Sequence, residues 1–212
     1  MNTLLWANYI LFMYYLMQTI SHLYLIRWAP FLINSYLIRI IFAFLEIILL
    51  SIGLYNIKIG GFYIIITSPF IAVIYLPLIV LLTSPSFQYF VSYRYRFWNW
   101  IKFIVTKYLK TIKILLQTLK EELIWRSAFV VIATILGISN ILIVIIGSLM
   151  FYFIHWEWKK KIILLQEFEL WLFSLLLYML FLYTNSLLAV WIIHFIRNSY
   201  LIFHNLNVKR RL

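Results

Sequence analysis

The chain has 212 residues, of which 66% are hydrophobic, 20% aromatic and 11% charged. Soluble domains are roughly 45–50% apolar and about 25% charged, so this composition excludes a soluble globular protein. The chain contains no Cys, and its six acidic residues are all Glu. Disulfides, thiolate metal sites, cysteine nucleophiles and aspartyl chemistry are therefore excluded as well.

The charge balance is strongly basic, with a formal net charge of +12 at pH 7 and a mean hydropathy of +0.99. In a membrane protein, basic residues concentrate in cytoplasmic loops close to anionic headgroups. The partner that this charge indicates is therefore the lipid bilayer, and no nucleic acid is expected. The first 26 residues carry no charged side chain and no signal-peptide cleavage site, so we interpret them as a retained first span.

The long uncharged runs predict an all-α fold, a polytopic transmembrane helical bundle of about seven spans, with roughly six to eight as the limits. In chain order the predicted spans are Leu4–Ile26, Ile40–Asn56, Phe62–Leu82, Leu123–Leu136, Ile141–Trp156, Ile162–Tyr183 and Ser186–Phe203. The turn residues Gly137–Asn140 separate the fourth span from the fifth, and Pro69 and Pro77 can kink the third. A weaker candidate at Phe87–Val105 is interrupted by basic residues.

Basic clusters orient this bundle. Four of them fall on one side of the predicted membrane: Arg27, Arg94–Lys120, Lys159–Lys161 and Lys209–Arg211. The opposite side receives only Lys58. Because positive charge accumulates in the cytoplasm, the carboxyl terminus is predicted to be cytoplasmic.

The segment from Lys107 to Lys120 alternates Lys with Leu and Ile at helical spacing, which predicts an amphipathic helix at the cytoplasmic headgroups. The chain as a whole is rich in Ile, Phe, Tyr, Lys and Asn, a composition typical of AT-rich genomes. An integral, multi-pass protein of a bacterial plasma membrane is the favoured localisation, with an organelle membrane as the alternative.

Ionisable side chains cost roughly 2.5–3.5 kcal/mol in hydrocarbon, so each one within a predicted span requires a reason. Three ordered groups stand at helical spacing: Glu121-Glu122-x-x-x-Arg126, Phe151-x-x-x-His155 and His194-x-x-x-Asn198. Glu122 and Arg126 can close an ion pair one helical turn apart. Glu121 is turned about 100° away from that pair, which leaves it available for another role.

The predicted topology places all three groups at a similar depth. Glu121 enters the fourth span from the cytoplasmic side, and His155 leaves the fifth span towards the same side. His194 and Asn198 lie in the inner half of the seventh span. The groups can therefore meet within reach of cytoplasmic water. Peptide hydrolysis needs a base, a positioned water and donors to a developing oxyanion, and these residue types can supply all three.

This ordered set resembles the signature of the CAAX prenyl protease and bacteriocin-processing family (CPBP, also grouped as Abi proteins), which are polytopic intramembrane proteases. The resemblance covers residues 118–200, which would form a catalytic core within a single membrane domain, 1–212. With five Gly in all, the chain has fewer small residues than the family core often contains. The resemblance implies a protease of metallo- or glutamate type.

The resemblance also implies a role for each motif residue. Glu121 would be the general base that activates water, with help from His155, and His194 and Asn198 would hold the water or stabilise the oxyanion. Structural support would come from Glu122, Arg126 and Phe151. A divalent metal, zinc, is one possibility, held by Glu121, His155 and His194 with one open position. The same groups can also act without a metal.

The predicted function is an intramembrane endopeptidase that hydrolyses a peptide bond of membrane-associated proteins or peptides near the cytoplasmic face. The resemblance implies CAAX-type processing, bacteriocin or pheromone maturation, or self-immunity. The alternative is a non-catalytic bacteriocin-immunity or membrane scaffold protein, which should tolerate Glu121→Gln. A transporter with a buried proton relay is a third hypothesis, and it would make Glu46 as important as Glu121.

Overall fold

The computed structural model describes residues 3–20, 36–55, 93–155 and 164–209, and within these ranges the chain forms helices and no strand. In chain order the helices are α1 (Thr3–Ile20), α2 (Tyr36–Tyr55), α3 (Tyr93–Thr106), α4 (Tyr108–Glu122), a π-helix (Leu123–Ala128), α5 (Phe129–Ile135), α6 (Asn140–His155), α7 (Leu164–Thr184) and α8 (Leu187–Lys209). The all-α prediction is confirmed for these residues.

Helices lie at the position of every predicted span within the described ranges, and the span predicted at Phe62–Leu82 falls outside them. None of the described helices combines the length and the hydropathy that crossing a membrane requires. The predicted turn at Gly137–Asn140 is confirmed, because Gly137 adopts a positive φ of 76° after α5 and the next helix begins at Asn140. The predicted amphipathic segment forms α4, on which Lys110, Lys113 and Lys120 are exposed.

The chain divides into two compact units. The first unit comprises Met1–Lys58 and Leu123–Asn185, and the second comprises Ile59–Glu122 and Ser186–Leu212. One boundary falls between α4 and the π-helix, so the EExxxR motif contributes its glutamates to the second unit and its arginine to the first. The single membrane domain stays a prediction.

In the described part of the first unit, α6 packs along α7, α1 packs on α5 and α6, and α2 packs on the π-helix. Two glycines allow the close approaches. A Cβ at Gly147 would lie 2.5 Å from Cζ of Tyr178, and a Cβ at Gly53 would lie 2.5 Å from the carbonyl oxygen of Leu123. Both distances are well inside van der Waals contact, so any larger residue would force the helices apart.

In the described part of the second unit, α8 packs against α3 and α4. Its apolar core contains Trp100, Tyr200 and Phe203. The indole nitrogen of Trp100 donates to Ser199 Oγ at 3.2 Å, and that of Trp191 donates to the Leu115 carbonyl oxygen at 3.1 Å. One indole hydrogen bond therefore connects α8 to α3 and another connects it to α4. Together they fix the orientation of α8, and with it the direction in which the HxxxN motif faces.

Candidate active site

His194 on α8 contacts both glutamates at the end of α4. Its Nδ1 lies 2.5 Å from Oε1 of Glu122, and its Nε2 lies 3.5 Å from Oε2 of Glu121. His194 is 2% exposed and Glu122 is fully buried, whereas the Glu121 side chain keeps 17% of its surface exposed. The two adjacent carboxylates therefore flank one imidazole, and Glu121 is the more accessible of the two.

Asn198 lies one helical turn after His194 and continues this hydrogen-bonded group. Its Nδ2 is 2.9 Å from His194 Nε2, and its Oδ1 accepts a hydrogen bond from Nη1 of Arg197 at 3.1 Å. The predicted grouping of Glu121, His194 and Asn198 is therefore present within the second unit.

Two further residues join this group that the sequence motifs do not include. Gln117 donates from Nε2 to Oε1 of Glu121 at 3.2 Å, and Arg197 contacts Asn198. Gln117 stands four positions before Glu121, a spacing at which helical side chains meet, so the sequence did carry a signal for it. Arg197 directly precedes Asn198, and only the folded arrangement of the amide reveals its contact.

The π-helix that follows the glutamates belongs to the first unit, and every one of its residues is buried. Its carbonyl oxygens receive hydroxyl donors from distant helices: Tyr15 Oη donates to the Ile124 oxygen at 2.6 Å, and Tyr178 Oη donates to the Trp125 oxygen. Ser127 Oγ donates to the Gly53 carbonyl oxygen at 2.9 Å. Short π-helical segments occur frequently at functional sites, and here hydrogen bonds from three directions hold one in place.

Arg126 lies inside this π-helix and has no exposed surface. Its guanidinium carbon is 4.1 Å from the centre of the Phe151 ring and 5.1 Å from that of Tyr178. Its Nη2 donates to Ser174 Oγ at 3.4 Å. Such contacts are cation–π interactions, which gain strength when the cation is removed from water. Arg126 and Phe151, both predicted as supporting residues, are thus packed on each other.

His155 ends α6 in the first unit and is half-buried. Its Nδ1 lies 2.8 Å from the carbonyl oxygen of Phe151, and its ring centre lies 4.2 Å from the Phe151 ring centre. The carbonyl oxygen can only accept, so Nδ1 carries the proton and Nε2 is the acceptor nitrogen of the neutral ring. Both residues of the FxxxH motif therefore stack on one another at the end of α6.

The segment 96–200, which runs from α3 to α8 and contains every motif residue described above, matches the family model of type II CAAX prenyl endopeptidase, Rce1-like. Residues 96–200 of this chain belong to the Rce1-like family. No curated protein and no solved structure shows a significant match. This match confirms the predicted resemblance to CPBP proteases. It also confirms that the family is one of proteases, without distinguishing a metallo- from a glutamate-type mechanism.

The zinc ligands predicted for this Rce1-like protein are divided between the units: Glu121 and His194 lie in the second and His155 in the first. Among the residues that the structure describes, no three His, Cys, Asp or Glu side chains form a group that could hold a metal. Both ring nitrogens of His194 face hydrogen-bonding partners, one a carboxylate and the other an amide nitrogen. The contact with the carboxylate is one that a metal-bound histidine also makes, whereas the amide nitrogen faces the lone pair that a metal would need. The zinc site stays a prediction.

Proposed function

We propose that this Rce1-like protein is an intramembrane endopeptidase that hydrolyses a peptide bond of membrane-associated proteins or peptides near the cytoplasmic face. The observation that carries the proposal is the contact of one buried imidazole, His194, with the carboxylates of Glu121 and Glu122. Of these two acids Glu121 is the partly exposed one, and its Oε2, which is buried beside His194, is the oxygen that the proposed water would meet.

Glu121 is the general base of the proposed reaction. Its Oε2 lies 3.5 Å from His194 Nε2, and a water that donates to Oε2 at about 2.8 Å would lie beside the imidazole. A water held there would pass a proton to the Glu121 carboxylate while its oxygen attacks the carbonyl carbon of the scissile peptide. Gln117, which donates to the other oxygen of Glu121, would keep the carboxylate in place for this step.

Asn198 supplies the donor for the oxyanion that forms on the carbonyl. Its amide nitrogen carries two hydrogens, of which one faces His194 and the second is available to the substrate oxygen. As the tetrahedral intermediate collapses, the C–N bond breaks and Glu121 returns its proton to the leaving nitrogen. The products are a new carboxyl terminus and a new amino terminus.

The remaining motif residues keep the roles that the family resemblance implies. His155 is proposed to assist Glu121 through Nε2, because its Nδ1 is engaged with the Phe151 carbonyl oxygen. Glu122 supports His194 from the buried side. Arg126 and Phe151 support each other within the first unit.

A comparison of peptide termini in host-cell membranes tests this proposal for any substrate that the cells contain. Cells would carry the wild type, Glu121→Gln, His194→Ala or the control Glu46→Gln at matched expression. We expect new termini with the wild type and with Glu46→Gln. The same termini should fall by about 10²-fold or more in the Glu121 and His194 variants, since loss of a general base removes roughly 10²–10⁴ of the rate.

Identical termini in all four samples would overturn the proposal. If a bacteriocin-resistance phenotype then survived in both active-site variants, the non-catalytic immunity or scaffold function would take its place. Loss of function in Glu46→Gln together with intact Glu121→Gln would instead indicate the transporter hypothesis. The substrate class, whether a CAAX-type protein, a bacteriocin or a pheromone, would be read from the termini themselves.

A further inference from the structure

Arg197 is buried, with 7% of its surface exposed, and lies beside the proposed catalytic group. Its Nη1 donates to Oδ1 of Asn198 at 3.1 Å. A guanidinium group has donors only, so the amide of Asn198 must turn its oxygen towards Arg197. Asn and Gln amides have two orientations of nearly equal shape, and it is the neighbouring donor that selects between them here.

The orientation of this amide determines what His194 meets on its Nε2 side. With its oxygen on Arg197, Asn198 presents Nδ2 to His194 Nε2 at 2.9 Å. An amide nitrogen only donates, so Nε2 must be the acceptor nitrogen of the imidazole. On the other side of the ring, a carboxylate oxygen of Glu122 accepts from Nδ1, which therefore carries the proton. Glu121 Oε2 is an acceptor, but at 3.5 Å it lies farther from Nε2 than the Asn198 nitrogen at 2.9 Å. The two hydrogen-bonded neighbours, Asn198 and Glu122, therefore select the same tautomer of His194.

We infer that Arg197 is a positioning residue that holds His194 in its Nδ1–H tautomer by fixing the orientation of the Asn198 amide. This inference rests on the proposed function where it concerns catalysis. With the Nε2 lone pair accepting from Asn198, His194 offers no donor to a water beside it, and that water donates one hydrogen to the Glu121 carboxylate. No lone pair of the water is then occupied by His194, so one is left to attack the carbonyl carbon.

A turned amide would reverse this arrangement. Oδ1 of Asn198 would then face Nε2 and favour a proton on that nitrogen. An Nε2–H group would donate to the water and occupy one of the lone pairs that the attack requires. The amide would also present its oxygen, not its N–H, to the developing oxyanion. The contact between Arg197 and Asn198 thus controls two requirements of the reaction at once.

Nitrogen-15 NMR of histidine-labelled, detergent-solubilised protein measures the tautomer directly, with His194 assigned from the signals missing in a His194→Gln variant. We expect an unprotonated-type Nε2 signal and a protonated-type Nδ1 signal in the wild type. In Arg197→Met the Nε2 signal should move towards the protonated type. Lys113→Met removes an exposed charge of the same unit and should leave both signals unchanged.

A second variant covers the case in which Arg197→Met does not fold. Asn198→Asp keeps an acceptor for Arg197 but replaces the amide nitrogen with an oxygen, so the Nε2 signal should again move towards the protonated type. An unmoved Nε2 signal in a folded Arg197→Met protein, or in Asn198→Asp, would overturn the inference.

Kinetics separate this inference from the proposed function. Once a peptide from the cleaved substrate is available, Arg197→Met should lower kcat by about 10–100-fold, the usual cost of losing a group that orients a site residue, and leave KM unchanged. An unchanged kcat would overturn the catalytic part of the inference while cleavage by the wild type upheld the protease. If Glu121→Gln left cleavage intact, the protease proposal would fail, and the nitrogen signals would still decide the role of Arg197.

Discussion

Nδ1 of His194 lies 2.5 Å from Oε1 of Glu122, and the two side chains are 2% and 0% exposed. A carboxylate so completely removed from water is costly unless a hydrogen-bond donor accompanies it. His194 is that donor, and it also reaches Glu121 on its other side. The two adjacent glutamates therefore differ: the buried Glu122 orients the imidazole, and the partly exposed Glu121 is the one proposed as the general base.

Replacing Glu122 should lower the stability of the protein, because His194 depends on this carboxylate as its hydrogen-bond acceptor. Glu122→Ala leaves the Nδ1–H of His194 buried without its acceptor, which costs roughly 1–3 kcal/mol of unfolding free energy. Glu122→Gln keeps an oxygen acceptor at the same position, so we expect a smaller loss. Thermal unfolding in one detergent would rank the variants as wild type, then Gln, then Ala. Equal melting temperatures for the Ala variant and the wild type would contradict the assigned role.

The packing of Arg126 on Phe151 makes a second prediction. The ring-to-guanidinium distance of 4.1 Å in a fully buried position suggests a coupling of about 0.5–2 kcal/mol. In a double-mutant cycle of Arg126→Lys and Phe151→Leu, the two losses should be non-additive by that amount, because a Lys lacks the planar face that stacks on the ring. The half-exposed Phe168, replaced with Leu, serves as the control and should be additive with Arg126→Lys.

The EExxxR motif shows which local features could be predicted from residue spacing and which could not. Four positions are about one turn of an α-helix, so the sequence predicted a Glu122–Arg126 pair on a continuous α-helix, and that pair stays a prediction. A π-helix begins directly after Glu122, and its hydrogen bonds close over five residues instead of four. Its carbonyls are held by Tyr15 and Tyr178, which stand 109 and 53 residues away from their acceptors. No local pattern encodes such partners, so the change in helix type could not be predicted.

The second unit shows what spacing could predict. His194 and Asn198 lie four positions apart on an uninterrupted α-helix, and they are hydrogen-bonded as expected of one helical face. The contact of Glu122 with His194 joins residues 72 positions apart and depends on how α8 packs against α4. Periodicity therefore predicted the helices and the faces of the motifs, whereas the choice of partner across helices required the tertiary structure.

The close contact between Gly147 and Tyr178 makes a prediction about the packing of α6 on α7. Gly147→Ala places a Cβ 2.5 Å from a ring that is itself held by its hydroxyl, so we expect a loss of about 1–3 kcal/mol of unfolding free energy. In a Tyr178→Leu background the obstructing ring atoms are absent, and Gly147→Ala should cost much less. Gly137→Ala, at a position with open space, should cost the same in both backgrounds.

Metal removal distinguishes the two mechanisms that the sequence left open, one that uses zinc and one that uses no metal. Because the described carboxylates and His194 are engaged in hydrogen bonds and form no group suited to a metal, we expect peptide cleavage to persist after prolonged dialysis against a chelator. Elemental analysis of the purified protein should then show well under one equivalent of zinc per chain. Cleavage that stops on chelation and returns with zinc, but not with magnesium, would establish the predicted zinc site of Glu121, His155 and His194. Such a result would require the Asn198 amide to leave the lone pair of His194 Nε2, whereas the Nδ1–H contact with Glu122 would stay, because a metal-bound histidine commonly donates its other N–H to a carboxylate.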